Sequence, residues 1–83
     1  MTELQKQYMG TRVHRCLADI ATGSIVMRPS AGTHDIAYLR RGVVVREDVF
    51  GRGVMCGVVW DGFPTAFQYS DDTGFDVVQV SGE

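Results

Sequence analysis

The sequence predicts a mostly β domain, a small barrel of five to six short antiparallel strands with a short helix at the N-terminus. The chain has 83 residues, of which 45% are hydrophobic and 22% charged, as is typical of one globular domain. From Gly42 to Val80, short apolar segments alternate with turn signals at Gly51–Gly53, Asp61-Gly62 and Asp71–Gly74. Strands at such regular spacing are typical of small sheets and barrels.

Two parts of the chain are expected: an N-terminal extension, 1–10, and a single barrel domain, 11–83. Thr2 to Met9 suits a short helix, because Leu4 and Tyr8 lie four residues apart on one side and Gly10 favours its end. A helix this short is marginal by itself. We therefore expect it either to pack on the barrel or to fray.

The first half of the barrel domain predicts two strands and a long loop. Thr11 to Leu17 alternates in the manner of a half-exposed strand, and Ser24 to Arg28 predicts a second strand that Pro29 ends. The loop of residues 30–41 is rich in turn-forming residues. Its apolar side chains are expected to anchor it on the core: Ile36, Tyr38 and Leu39.

The second half predicts further strands with tight connections. Val54 to Trp60 is apolar on both faces, which predicts a central strand, and Gly57 within it indicates a bulge or a bend. The residues from Ser70 to Gly74 are expected to form a corner with one 3₁₀ turn. The other strands are expected at Val43–Glu47, Phe67–Tyr69 and Phe75–Val80.

The second half resembles the SH3-like small barrels, in particular the KOW and Tudor types. The segments that carry the resemblance are Arg41–Val45, Val58–Gly62, Phe67–Tyr69 and Phe75–Val80. The resemblance implies a non-enzymatic binding module whose strand ends and loops contact the partner. The first forty residues depart from the pattern, because they offer two strands and a helix where a minimal barrel of this kind needs one strand.

Charge is unevenly distributed along the chain, which has a net charge of −2. Residues 1–46 contain seven basic and three acidic side chains, whereas residues 47–83 contain one basic and seven acidic side chains. Either the charges mix on one solvated surface, or the domain has a basic face and an acidic face. A nucleic-acid-binding domain is usually basic overall, so this composition favours a protein partner.

Side chains that could carry out catalysis or hold a metal are few, and the sequence predicts no cofactor and no metal. The nitrogen and sulfur ligands are single residues without a Cys-x-x-Cys pair: His14, Cys16, His34 and Cys56. Neighbouring positions on one strand do not give His14 and Cys16 the geometry of a base and a nucleophile. Turn formation accounts for Asp71 and Asp72.

The aromatic residues are the strongest functional signal. Five of them fall within sixteen residues: Trp60, Phe63, Phe67, Tyr69 and Phe75. In Tudor-type barrels such residues enclose methylated ammonium groups or grip peptides. Core packing is the favoured interpretation for Phe67, Tyr69 and Phe75, whereas Phe63 is expected to be exposed. The predicted binding residues are Trp60, Phe63, Tyr69, Tyr38, Arg40 and Arg41.

Three functions follow from these observations. The first is a small binding module or accessory protein that recognises a protein partner; the second is a nucleic-acid-associated module that uses its arginines. The third is a self-assembling enzyme similar to the plasmid-type dihydrofolate reductases, which build one active pore from four subunits. Their Val-Gln-Ile-Tyr stretch is not found, and Val78–Val80 is the nearest match.

The sequence also predicts location and assembly. The start of the chain lacks the basic and apolar segments of a signal peptide, and no apolar run approaches the ~20 residues that span a membrane. We therefore expect a cytoplasmic protein with reduced thiols. The valines of Gly42–Val45 suggest a homodimer, or a higher homo-oligomer, formed through an edge strand.

Overall fold

A computed structural model describes residues 2–29, 39–49, 51 and 53–81. The elements are helix α1 (Glu3–Thr11), strand β1 (Val13–Cys16), a 3₁₀ turn (Leu17–Asp19), β2 (Ile25–Pro29), β3 (Leu39–Val49), β4 (Gly53–Trp60), β5 (Phe67–Gln68) and β6 (Gly74–Gln79). The predicted mostly β class, with six antiparallel strands and a short N-terminal helix, is confirmed.

The six strands form one sheet in the order β1-β6-β2-β3-β4-β5. Strands β2 to β5 follow one another, and β6 returns to lie between β1 and β2. Closure into a barrel is not found in the part of the chain that the structure describes, since β1 and β5 form the two edges. Strand β5 is two residues long and pairs with β4.

Strand β3 lies in the interior of the sheet, which makes the predicted dimer contact wrong. Gly42 and Val43 pair with β2 on one side and with β4 on the other. The Val44 N–H donates to the Ser24 carbonyl oxygen at 3.0 Å while Val44 pairs with Val58 of β4. Because both sides are occupied, Gly42–Val45 cannot pair with a second copy.

The sheet buries apolar side chains on both faces. The larger cluster lies on one face and consists of Leu17, Ile20, Val26, Val44, Val58, Trp60, Phe75 and Val77. The smaller cluster lies under α1 and consists of Tyr8, Ile25, Met27 and Val78, with Leu39 and Val43 packed against it. Alternation along β2 explains the division, because Val26 faces one cluster and its neighbours face the other.

The first strand is shorter than predicted. The expected strand Thr11–Leu17 is reduced to Val13–Cys16, and all four of its side chains are exposed. Leu17 instead lies in the 3₁₀ turn with no exposed surface, and its N–H donates to the Thr73 carbonyl oxygen at 2.9 Å. Burial of Leu17 therefore ends the strand and bends the chain into the core.

Helix α1 packs against the sheet and runs past Gly10 to Thr11. Thr2 and Gln5 form a capping box, which satisfies two backbone N–H groups at the helix start. Of the predicted pair, Tyr8 is buried but Leu4 is exposed, so the helix contacts the sheet mainly through one side chain. Within the described residues, no helix is long and apolar enough to cross a membrane.

Two glycines allow close approach between neighbouring segments. A Cβ atom at Gly42 would lie 2.5 Å from Val58 Cγ1, and one at Gly57 would lie 2.6 Å from the Phe67 carbonyl oxygen. The register through Gly57 is regular, so the predicted bulge is absent there. The register shift lies instead between Ile25 and Val26, opposite β6. Gly57 thus serves to bring β5 against β4.

A polar contact ties α1 and β1 to β6. The Tyr8 hydroxyl donates to Asp76 Oδ2 at 2.6 Å, and His14 Nδ1 lies 3.0 Å from Asp76 Oδ1. Burial raises the pKa of Asp76, but the hydrogen bonds from Tyr8 and His14 and the charges of His14 and Arg12 outweigh it and lower the pKa. Burial and the bond to Asp76 raise the pKa of Tyr8, which keeps its proton for donation.

The contact between Tyr8 and Asp76 predicts a loss of stability in acid. Because the folded-state pKa of Asp76 is lowered, its stabilisation is complete above the unfolded pKa and is lost as the pH falls through the folded pKa. We expect Tyr8→Phe to lower the free energy of unfolding by about 1 kcal/mol at neutral pH. We also expect this variant to lose less stability than the wild type between neutral pH and about pH 3.

Chemical denaturation at both pH values measures these effects. Tyr69→Phe is the matched control, since the Tyr69 hydroxyl accepts bonds from Arg28 and Trp60 rather than donating to a carboxylate. The control should weaken the fold without changing its acid dependence. Identical pH profiles for wild type and Tyr8→Phe would contradict the assignment.

Close packing at Gly57 gives a second prediction. We expect Gly57→Ala to lower the free energy of unfolding by about 1–3 kcal/mol, because its methyl group would displace the backbone of β5. Gly10→Ala is the control: its methyl group would meet nothing within 4 Å. In a helix this change should stabilise by about 0.5–1 kcal/mol. Equal thermal midpoints for the two variants would contradict the close packing of Gly57 against β5.

Candidate functional site

Arg28 lies among three aromatic rings on the face of the sheet that carries the larger apolar cluster. Its guanidinium carbon is 4.7 Å from the ring centroid of Trp60, 5.4 Å from that of Tyr69 and 5.9 Å from that of Phe75. The rings also contact one another: the centroids of Tyr69 and Phe75 are 5.0 Å apart in an edge arrangement. We call Arg28, Trp60, Tyr69 and Phe75 the arginine cage.

Hydrogen bonds hold the arginine cage together. Trp60 Nε1–H donates to Tyr69 Oη at 2.8 Å, and Arg28 Nη2–H donates to the same oxygen at 3.0 Å. The two acceptor sites of the hydroxyl are therefore occupied, and the indole N–H is satisfied although only 2% of the Trp60 surface is exposed. The indole N–H of Trp60 and both acceptor sites of Tyr69 are therefore paired within the cage.

The arginine cage changes the interpretation of the predicted aromatic site. The rings of Trp60 and Tyr69 are already in contact with the chain's own Arg28 guanidinium. Trp60, a predicted binding residue, is buried, and Tyr69 is partly buried against the core. Both residues can support a surface from below, but a partner would meet Arg28 in front of them.

The exposed aromatic residues lie beside the cage. Phe63 and Phe67 are 41% and 43% exposed, and their ring centroids are 5.1 Å apart at an interplanar angle of 71°. The guanidinium carbon of Arg40 lies 4.8 Å from the Phe63 centroid. Core packing of Phe67 was therefore a wrong expectation, whereas exposure of Phe63 is confirmed. We call Phe63, Phe67 and Arg40 the aromatic platform.

The turn after β4 positions the aromatic platform. The Phe63 N–H donates to the Trp60 carbonyl oxygen at 3.0 Å, and Gly62 has a φ of 88°, as a tight turn requires. Arg40 Nη1 donates to the Asp61 carbonyl oxygen at 2.8 Å. The predicted Asp61-Gly62 turn is confirmed, and the arginine fastens it to β3, so that Phe63 is presented from an ordered loop.

Two further predicted binding residues are Arg41 and Tyr38. Arg41 is exposed and follows Arg40 in β3, so the two side chains leave opposite faces of the sheet. Tyr38 lies outside the described residues. Sequence reasoning missed Arg28, although its position two residues after Val26 places it on the same face of β2 as the larger cluster. The sequence signal that could have identified Arg28 is an arginine at a strand position that alternation directs toward the core.

Other chemistry-bearing groups lie apart from the aromatic platform. Among the described residues, no group of three or more histidine, cysteine or acidic side chains could hold a metal ion. Cys16 and Cys56 are both free thiols. A groove of about 490 Å³ lies along β1 and β6, where Val13 and Val77 form part of its wall between Arg15 and Asp19.

No protein-family model, curated protein or solved structure matches this chain. The resemblance to SH3-like barrels of the KOW and Tudor types therefore stays a prediction.

The arginine cage predicts a measurable contribution to stability. We expect Arg28→Gln to lower the free energy of unfolding by about 1–2 kcal/mol, since it removes the cation from three rings and a bond to Tyr69. Trp60 is the only tryptophan, so its fluorescence reports the change directly. Arg41→Gln, at an exposed position, should cost less than about 0.5 kcal/mol. Equal effects of the two changes would contradict the cage.

Proposed function

We propose that this protein is a non-enzymatic binding module that recognises a partner protein through the aromatic platform. The observation that carries the proposal is the exposed edge contact between Phe63 and Phe67, bordered by the Arg40 guanidinium. Aromatic residues, phenylalanine included, and arginine are enriched in protein interfaces, and the few residues that carry most of the binding energy are often tryptophan, tyrosine or arginine. These three lie together on one side of the β4–β5 connection.

The energetics of the platform support this use. The nearby aromatic residues Trp60 and Phe75 are 2% exposed, so the fold can bury rings in this region. Phe63 and Phe67 nevertheless keep two fifths of their surface in contact with solvent. Burying that surface under a partner would recover apolar free energy with little ordering cost, because the turn is already held by Arg40.

A nucleic-acid partner is the second candidate, favoured by the exposed Phe63 ring, on which a base could stack next to Arg40. The net charge of −2 makes it the weaker one. A gel shift at two salt concentrations distinguishes them, since nucleic-acid binding falls steeply with salt.

We also propose a cytoplasmic location, where the free thiols Cys16 and Cys56 stay reduced.

The proposed function predicts that partner capture depends on the platform. We expect Phe63→Ala and Phe67→Ala each to reduce the amount of partner captured from a native lysate by about tenfold. Val54→Ala is the matched control, because Val54 is 65% exposed but lies near the far end of β4. It should capture as the wild type does. Circular dichroism establishes that each variant is folded.

Two results would contradict the proposal: capture that survives both phenylalanine substitutions, or capture that Val54→Ala reduces equally. Sedimentation at two protein concentrations tests self-association as a competing use of the same surface. A mass that rises with concentration in the wild type and not in Phe63→Ala would assign the platform to a homo-oligomer.

A further inference from the structure

The two edges of the sheet differ in how they are protected. At the β1 edge, Leu17 N–H donates towards β6, so alternation directs the carbonyl of His14 away from the sheet. Arg15 Nη1 donates to that carbonyl oxygen at 2.9 Å. A charged side chain thus covers the outward backbone of β1, which is a common protection against unwanted strand pairing.

Among the described residues, the β5 edge has no comparable protection. The chain from Gly62 to Tyr69 contains no charged residue. The Tyr69 N–H donates to the Cys56 carbonyl oxygen, so alternation points the N–H and C=O of Gln68 away from β4. In the part of the chain that the structure describes, β5 pairs with β4 alone. Its outward backbone lies directly beside the exposed ring of Phe67.

We propose that a short extended segment of the partner protein adds to the sheet as a strand at β5, with an apolar side chain on the Phe63–Phe67 pair and an acidic side chain near Arg40. This inference rests on the proposed function and specifies how the platform binds. Backbone hydrogen bonds at Gln68 supply the register, and the two rings supply the contact for alternate side chains of the added strand.

The charge beside the platform selects an acidic segment. Arg40 is the one side chain in cation–π contact with Phe63 among the described residues, and Phe63 in turn contacts Phe67 of β5. A carboxylate there would form a charge-assisted hydrogen bond, whereas a lysine or arginine would be repelled.

The length of β5 argues for a peptide rather than a second copy. Two β5 strands paired with each other would share only two residues each. Stable protein interfaces bury about 800 Å² on each partner, far more than such a contact provides. A flexible segment of a partner can instead follow the edge and the aromatic pair together, which suits transient binding.

Selection of displayed random heptapeptides on the intact protein tests the inference. We expect enriched peptides to alternate apolar residues with polar ones and to contain at least one acidic residue. The strongest binder is then synthesised with N-methyl groups on either of its two alternating sets of amides. In an added strand only one set faces β5, so one form should lose at least about tenfold in affinity and the other less than about threefold.

Protein variants complete the test. Gln68→Pro removes the outward N–H and should weaken the peptide about tenfold, Arg40→Gln should weaken it several-fold, and Val54→Ala should leave it unchanged. If Gln68→Pro does not fold, the two N-methylated peptides still test strand addition at β5. Equal losses for both methylated forms, enrichment of basic peptides, or no enrichment would overturn strand addition. Lysate capture that still depends on Phe63 and Phe67 would then leave the proposed function standing.

Discussion

The enclosure of Arg28 by Trp60, Tyr69 and Phe75 is the interaction on which the face of the larger apolar cluster depends. It joins β2, β4 and β6 with the segment that follows β5, through three ring contacts and two hydrogen bonds to one hydroxyl. A guanidinium tolerates this position because it is weakly hydrated, planar and matched to aromatic faces. The positive charge of Arg28, which would be destabilising without partners, is surrounded here by aromatic rings and a hydroxyl acceptor.

Buried and exposed aromatic residues lie close together along the chain around the β4–β5 connection. Arg28 contacts the rings of Trp60 and Tyr69, whereas Phe63 and Phe67 are exposed and their rings contact each other. Arg40 Nη1 donates to the Asp61 carbonyl oxygen and so holds the turn that carries Phe63. One arginine therefore packs against the buried ring of Trp60, and the other packs against the exposed ring of Phe63.

Strand β6 provides the other constraint, because it enters the sheet between β1 and β2. This placement brings Asp76 to Tyr8 and His14, which are separated from it by 68 and 62 residues. The helix is thereby held to the smaller apolar cluster by one aromatic side chain and one carboxylate. At the β1 edge, Arg15 Nη1 donates to the outward carbonyl oxygen of His14, whereas the sequence around β5 from Gly62 to Tyr69 contains no charged residue.

Local patterns determined the mostly β class, the succession of strands along the chain, the Asp61-Gly62 turn and the exposure of Phe63. Those features depend on alternation and turn chemistry over a few neighbouring residues, which a sequence displays directly. Tertiary structure alone decided that Gly42–Val45 is interior, that the described sheet is open, and that Phe67 is exposed while Trp60 is buried. Each of these features depends on which distant strand lies alongside and on which side chains, such as Arg28, occupy the space nearby. Neither can be inferred from neighbouring residues in the sequence.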